Sequence, residues 1–161
     1  MKFKQLLREL REKQCYGQFM QENPDAFLTA GFFVLDDSGN NTFQLDYFIP
    51  KIEKIAISSY PFDRFKIQED EIKKAERLDE NINIDICDLK EKVEDIKLKN
   101  NYNRNTNKII AVLKDGKWNL TCFSSSLDIL RIFVDCFSGN CDKFEKASLM
   151  DFMQVRKTKK D

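Results

Sequence analysis

The feature that most constrains the fold is a set of short segments in which apolar and polar residues alternate. Phe43, Leu45 and Tyr47 alternate with polar residues in the first half of the chain, and Trp118 and Leu120 do so in the second half. Alternation with a period of two is typical of a strand that buries one of its faces. The sequence therefore predicts antiparallel sheet with one buried face.

Two other stretches repeat apolar residues every three or four positions, which is the pattern of an amphipathic helix. The spacing predicts helices over residues 3–15 and 86–99. Asp85 precedes the second helix as an N-cap, with Asp88 three residues later. The apolar positions are Phe3, Leu6, Leu7 and Leu10 in the first helix and Ile86, Leu89, Val93 and Ile96 in the second.

Each predicted helix is followed by predicted strands, so one pattern occurs twice. Asp115-Gly116 is typical of a tight hairpin turn in the second half. Three strands, within residues 27–35, 43–47 and 55–59, follow the first helix. Four strands, within residues 108–113, 118–122, 127–135 and 141–146, follow the second, ahead of a short terminal helix at Leu149, Phe152 and Met153.

This pattern predicts an α+β fold with two helix-plus-antiparallel-meander repeats packed into one compact unit. Each repeat has about 65–75 residues, a size at which a separate core is marginal, so the repeats are expected to share one core. The predicted boundaries are 1–67 for the N-terminal repeat, 68–83 for a charged connector, 84–155 for the C-terminal repeat and 156–161 for a basic tail.

Charge and histidine content exclude several classes of function. The 161 residues include 27 Lys and Arg and 27 Asp and Glu, so the formal net charge is zero. Without an excess of positive charge, the chain is not expected to bind nucleic acid or an anionic membrane. Histidine is absent. Its absence removes the commonest general base, the Ser-His and Cys-His nucleophile pairs and all imidazole metal ligands.

The expected compartment follows from targeting signals and cysteine usage. The first twelve residues place charged residues among the apolar ones, whereas a signal peptide needs about 7–15 apolar residues in a row. No stretch approaches the roughly 18 consecutive apolar residues of a membrane span. The five cysteines are odd in number and scattered. We therefore expect a cytoplasmic protein with reduced thiols.

Three segments of the second half resemble the PepSY family of small αβ modules, namely residues 85–98, 111–120 and 132–140. Asp135, Ser138 and Gly139 are similar to the family's V-D-x-x-T/S-G turn. In such a turn the aspartate can accept backbone N–H bonds and the glycine can take a positive φ. The first half resembles the module more loosely, with Asp46 but no glycine.

The resemblance implies two tandem PepSY-like αβββ repeats. Family members are often exported and associated with peptidases, as propeptide pieces or inhibitors. For this chain, which shows no export signal, the resemblance implies a peptidase modulator that would act on a protein or peptide partner.

Cys136 and Cys141 flank a four-residue turn, so they are expected to face each other across a hairpin, within disulfide range. One interpretation is a redox pair, or half of a thiolate metal site with Cys122. The other, which a reducing cytoplasm favours, is two small apolar residues on a sheet. Structural zinc normally takes four ligands. Because only one loose pair of cysteines is present, we expect neither a metal nor a cofactor.

Carboxylates are numerous, but their positions have structural explanations. Asp36-Asp37 lies in a cluster of turn residues, and Asp85 with Asp88 caps a helix. No phosphate-binding glycine motif occurs, and Ser124-Ser125-Ser126 has no nucleophile elbow around it. We predict no catalytic residue and a protein that is not an enzyme. An enzyme that uses carboxylates or lysine alone is an alternative.

The chain has 14 phenylalanines, and Phe32-Phe33, Tyr47-Phe48 and Phe133-Val134 put large apolar groups on both faces of predicted strands. A half-solvated sheet should have one polar face. Either helices cover both faces of the sheet, or an aromatic face is left for a partner. The candidate binding surface consists of Phe33, Tyr47, Trp118 and Phe133. The predicted function is a non-catalytic, cytoplasmic protein- or peptide-binding or regulatory module. The alternatives are a thiol-based redox or metal-binding protein and a structural homo-oligomer.

Overall fold

One antiparallel sheet of eight strands dominates the molecule. The computed structural model describes residues 1–148. The order across the sheet is β4-β3-β2-β1-β5-β6-β7-β8, and every neighbouring pair is antiparallel. The strands are β1 (Phe27–Asp36), β2 (Thr42–Ile49), β3 (Lys54–Ser59), β4 (Lys66–Glu71), β5 (Lys108–Lys114), β6 (Lys117–Phe123), β7 (Asp128–Asp135) and β8 (Cys141–Ser148).

The helices pack on one face of this sheet, which we call the inner face. They are α1 (Phe3–Arg11), α2 (Gln14–Glu22) and α3 (Leu89–Lys99), and a 3₁₀ turn (Ile86–Asp88) leads into α3. The ring of Phe3 in α1 contacts Phe33 of β1 edge-on, with 6.3 Å between the ring centroids. Buried residues of all three helices belong to one hydrophobic core with the inner-face residues of β1, β2 and β5–β7. No helix among the described residues is long and apolar enough to cross a membrane.

The expected α+β fold of two packed helix-plus-meander repeats is wrong. Strands hold 41% of the described residues and helices only 22%, and the strands form a single sheet. The reason lies at the centre of the sheet, where β1 and β5 pair directly through seven residue pairs from Ala30↔Lys114 to Asp36↔Lys108. This pairing merges the strands of both halves into one layer, with the helices confined to one side of it.

Several local predictions also need correction. The first helix ends at Arg11 rather than near residue 15, and a second helix, α2, begins at Gln14. Four strands, not three, come from the first half of the chain. The additional strand, β4, occupies the start of the expected charged connector. The predicted terminal helix and the basic tail lie outside the described residues.

Other local predictions are confirmed. Asp85 and Asp88 form a capping box ahead of α3. Asp115 and Gly116 have φ values of 54° and 74°, as a tight turn with two left-handed residues requires. The strands predicted within residues 27–35, 43–47, 108–113 and 118–122 lie within β1, β2, β5 and β6.

The two halves share their core at Trp118. This side chain is fully buried, and its ring centroid lies 5.7 Å from that of Phe33. Its Nε1 donates a hydrogen bond to the carbonyl oxygen of Ile84 at 2.7 Å. A buried indole N–H needs such a partner.

The segment between β4 and α3 runs along the end of the sheet and is fixed by hydrogen bonds to its backbone groups. Leu78 donates to the carbonyl of Leu28 at 2.8 Å, and Thr29 Oγ1 donates to the carbonyl of Glu76 at 2.8 Å. Further along, Ile84 donates its N–H to the carbonyl of Cys136. These bonds hold residues 77–81 beside α1, where they form one wall of the groove described next.

Candidate functional site

A large open groove lies between α1 and residues 77–81, and we call it the α1 groove. It encloses about 830 Å³. Positions 4, 8 and 11 fall on one side of α1 because an α-helix has 3.6 residues per turn. The lining residues are Lys4, Leu7, Arg8, Arg11, Glu12, Arg77, Leu78, Asp79, Glu80 and Asn81.

The floor of the α1 groove is apolar. Leu7 and Leu78 are almost fully buried and belong to the hydrophobic core. They reach the groove from opposite walls, Leu7 from α1 and Leu78 from the segment that pairs with β1. An apolar floor under charged walls is the usual composition of a site that takes a ligand with both apolar and polar parts.

Two contacts already join the walls of the groove. Arg11 Nη2 lies 2.7 Å from Glu80 Oε2, and Lys4 Nζ donates to Asn81 Oδ1 at 3.1 Å. The hydrogen bond from Arg11 to Glu80 raises the pKa of Arg11, which stays charged at any physiological pH. Both contacts are exposed, so each contributes at most about 1 kcal/mol to stability. A ligand can therefore compete for these groups at modest cost.

Two further arginines line the same groove. The side chain of Arg8 is exposed and makes no hydrogen bond or ion pair with residues 1–148. The guanidinium carbon of Arg77 lies 4.9 Å from the ring centroid of Phe27. A guanidinium presents five N–H donors in a planar fork that suits a carboxylate. Arg8 is therefore the cation of the groove that is most available to an acidic ligand group.

Three of the four residues predicted to form a binding surface are core residues. Phe33 and Trp118 are 0% exposed and Tyr47 is 2% exposed. Each lies on the inner face, under the helices, so the expectation that they are exposed is wrong. Phe133 is half-buried on the opposite face, where Lys143 Nζ lies 5.3 Å from its ring centroid.

The hydroxyl of Tyr47 is a polar atom inside the core. It makes no hydrogen bond of good geometry within the described residues. Burial raises the pKa of Tyr47, while the nearby Arg11 acts in the opposite direction. Leaving such a hydroxyl unpaired costs about 1–3 kcal/mol. The surrounding rings of Tyr16 and Phe19, with centroids at 6.1 and 5.9 Å, hold the tyrosine in place.

Cys136 and Cys141 do not face each other. Strand register pairs Cys141 with Val134, Cys136 is buried, and both thiols are free. Burial raises the pKa of Cys136 to about 11 and that of Cys122 to about 12. Because the thiolate is the reactive form, both thiols are poor nucleophiles at neutral pH. Within residues 1–148, no three Cys, Asp or Glu side chains come together as a metal site requires.

The carboxylates with perturbed pKa values lie away from the α1 groove. Backbone N–H groups lower the pKa of Asp36 and Asp135, since each carboxylate sits in a turn. Burial raises the pKa of Asp46, which lies in the middle of β2. Acid–base chemistry needs such groups to converge in one cleft, and these three are on separate strands or turns.

The face of the sheet opposite the helices, which we call the outer face, is only partly polar. Half-buried Phe32, Val34, Ile110 and Val112 occupy its centre on β1 and β5. Sequence reasoning left open whether helices cover both faces. The helices of the described chain pack on the inner face alone, so an apolar patch remains on the other side.

Sequence reasoning missed the α1 groove because its walls come from segments about 70 residues apart. One signal was present. The spacing of four and then three residues between Lys4, Arg8 and Arg11 places these three cations on one side of the predicted helix.

No protein-family model matches the chain, and no curated protein matches it. Among solved structures, the chain is similar to the crystal structure of a candidate lipoprotein from Clostridium difficile 630. The sequence identity is 15% and the TM-score is 0.48, over 81% of this chain and 89% of that chain. A likeness at this level supports no argument about fold or function here.

Proposed function

We propose that the protein is a non-catalytic, cytoplasmic binding module that holds a peptide segment of a protein partner in the α1 groove. The observation that carries the proposal is the groove itself, about 830 Å³ in volume, with an apolar floor and charged walls. Its volume lies within the roughly 300–1,000 Å³ of typical ligand sites.

The charges of the groove define the peptide. The Arg8 side chain has no partner within residues 1–148, and Lys4 and Arg77 are exposed. Leu7 and Leu78 form the floor. The best-fitting segment carries an apolar side chain for the floor and an acidic side chain next to it for Arg8. A charge-assisted hydrogen bond of this kind contributes about 1.5–3 kcal/mol.

The family resemblance extends this proposal to a peptidase as the partner. What supports the extension is the turn after β7, where Asp135 Oδ1 accepts the N–H groups of Phe137 and Ser138 at 2.9 Å and Gly139 has a φ of 79°. This is the local geometry that the resembling segment requires.

The proposal is tested by selecting peptides from a random display library on the wild-type chain. Binding of selected peptides is then measured by fluorescence polarisation on wild type, Arg8→Glu and Lys99→Glu. Lys99 is exposed at the end of α3, so Lys99→Glu makes the same change of charge far from the groove. We expect acidic peptides to bind at least about tenfold more weakly to Arg8→Glu, because an attractive contact becomes repulsive.

Two results would contradict the proposal. One is a set of selected peptides that bind Arg8→Glu as well as wild type. The other is a selection in which no peptide binds wild type more tightly than unselected sequences do. Circular dichroism spectra that match between the variants establish that the loss is not one of folding.

A further inference from the structure

The centre of the outer face is a two-by-two block of apolar side chains on β1 and β5. Phe32 lies opposite Val112, and Val34 lies opposite Ile110. Residues directly opposite in an antiparallel pair share a face. All four are half-buried, although they sit in the middle of the sheet rather than at its rim. The line between β1 and β5 at this block is called the seam below.

The polar residues around this block are arranged in complementary positions on the two sides of the seam. β2 and β6 are each the second strand from the seam, and β1 and β5 are each the first. Asp46 on β2 and Lys117 on β6 lie in the same row across the sheet, through Ala30 and Lys114. Asp36 on β1 likewise lies opposite Lys108 on β5.

The rows between these two show the same correspondence. Gln44 on β2 matches Asn119 on β6 in the row of Phe32 and Val112. Thr42 matches Thr121 in the row of Val34. The residues that correspond across the seam are therefore the pairs Asp46 and Lys117, Ala30 and Lys114, Gln44 and Asn119, Phe32 and Val112, Thr42 and Thr121, Val34 and Ile110, and Asp36 and Lys108.

We propose that two copies of this chain stack outer face to outer face, about a two-fold axis that runs parallel to the strands along the seam. This rotation places each outer-face residue of one copy over a residue of the other copy. The two residues lie in the same row and equally far from the seam, but on opposite sides of it. Asp46 of one copy then faces Lys117 of the other, and the apolar blocks of both copies meet. A closed two-fold contact needs such self-complementarity.

The size of the face also fits a second copy. Eight strands about 4.8 Å apart span roughly 34 Å, and six residues of a strand span about 20 Å, so the face measures about 700 Å². A standard interface buries about 800 Å² per partner. The contact is a sheet-on-sheet packing of the kind found in β-sandwiches.

The two-fold operation places Lys114 of each copy beside the axis, over Ala30 of the other copy, and the nearby Asp46 carboxylate of the same chain offsets part of that positive charge. Lys117 Nζ lies 3.1 Å from Asp142 within its own chain, and Lys114 is close enough to lower the pKa of Asp46. Burial raises the pKa of Asp46 in the single chain, and a lysine from a second copy would compensate that cost. The α1 groove lies on the inner side, so both grooves of the dimer stay open and the inference is independent of peptide binding.

The test is a charge exchange measured by sedimentation velocity over a concentration series. Asp46→Lys alone places two lysines face to face, and Lys117→Asp alone places two aspartates face to face. An equimolar mixture of the two variants restores both opposite-charge contacts in the heterodimer. We expect wild type to dimerise, each variant alone to associate about a hundredfold more weakly, since each change acts twice by symmetry, and the mixture to recover the dimer.

Two further variants serve as controls, and two outcomes would contradict the proposal. Lys99→Asp, on the helix side, is expected to dimerise like wild type. Val34→Lys, which places a charge in the apolar block, is expected to be monomeric and to retain the wild-type circular dichroism spectrum. A wild-type chain that is monomeric up to its solubility limit would overturn the proposal, and so would a mixture of the exchange variants that stays as weak as either alone.

Discussion

Asp135 holds the turn between β7 and β8 through its carboxylate, and its effect on stability is pH-dependent. Oδ1 accepts the backbone N–H groups of Phe137 and Ser138, and these bonds lower the pKa of Asp135. A carboxyl group whose pKa is lower in the folded state stabilises the fold above its unfolded pKa of about 3.9. That stabilisation is lost as the pH falls through the folded value.

Asp135→Ala is therefore expected to lower the thermal midpoint at pH 7, with a difference from wild type that shrinks steadily below about pH 4. Asp135→Asn is the matched control, because its amide oxygen still accepts hydrogen bonds but carries no charge. At pH 7 the thermal midpoint of Asp135→Asn should lie closer to wild type than that of Asp135→Ala does. The difference between Asp135→Asn and wild type should vanish at low pH. Thermal melts between pH 2 and pH 7 measure this. A deficit of Asp135→Ala that stays constant over that range would contradict the role of the charge.

At the scale of elements, one side chain joins the starts of two helices. Asp85 Oδ1 accepts the N–H of Ile86 at 2.7 Å, ahead of α3, and the N–H of Phe3 at 2.8 Å, at the first residue of α1. Lys2, the N-cap of α1, makes no side-chain capping bond. Free N–H groups at a helix start must find another acceptor. Asp85 therefore caps both helices, although 82 residues separate it from Phe3.

Asp85→Ala is expected to reduce the free energy of unfolding by about 1–3 kcal/mol, because a single cap is worth about 0.5–2 kcal/mol and two are lost. Asp95→Ala, an exposed position in the middle of α3, removes the same carboxylate without touching a cap. Urea unfolding of both variants compares them. An Asp85→Ala chain as stable as Asp95→Ala would show that the double cap contributes nothing.

The elements that sequence predicted well are those in which pattern and burial agree. The alternation of Trp118, Leu120 and Cys122 marks β6, since these side chains are all buried on the inner face. β4 was missed because Lys66–Glu71 is charged on both faces, as suits an exposed edge strand that resists pairing with other chains. Its strand character comes from pairing with β3, which no local pattern records.

The candidate site was harder to predict than the strands. Alternation shows that Tyr47 and Trp118 share a face with their neighbours, but it does not show which face the helices cover. Both residues lie in the core, whereas the α1 groove depends on the backbone hydrogen bond that Leu78 donates to Leu28. Contacts between distant segments of this kind leave no periodic signal in the sequence.

At the scale of the whole molecule, the pairing of β1 with β5 makes the two halves interdependent. Residues 1–83 alone would expose the unpaired edge of β1 and lose the contact between Phe33 and Trp118. We expect this fragment to show no cooperative thermal transition, because its share of the core is too small. An equimolar mixture with residues 84–161 should regain one, together with the blue-shifted fluorescence of the single buried tryptophan. A fragment that melts cooperatively on its own would contradict the shared core.

The claim that the α1 groove is the functional site is tested most directly by hydrogen exchange on the full chain, with and without a selected acidic peptide. We predict that the peptide slows exchange in residues 4–12 and 77–81 and leaves β1, β5 and β6 unchanged. Protection confined to the strands of the outer face, with α1 unaffected, would contradict it.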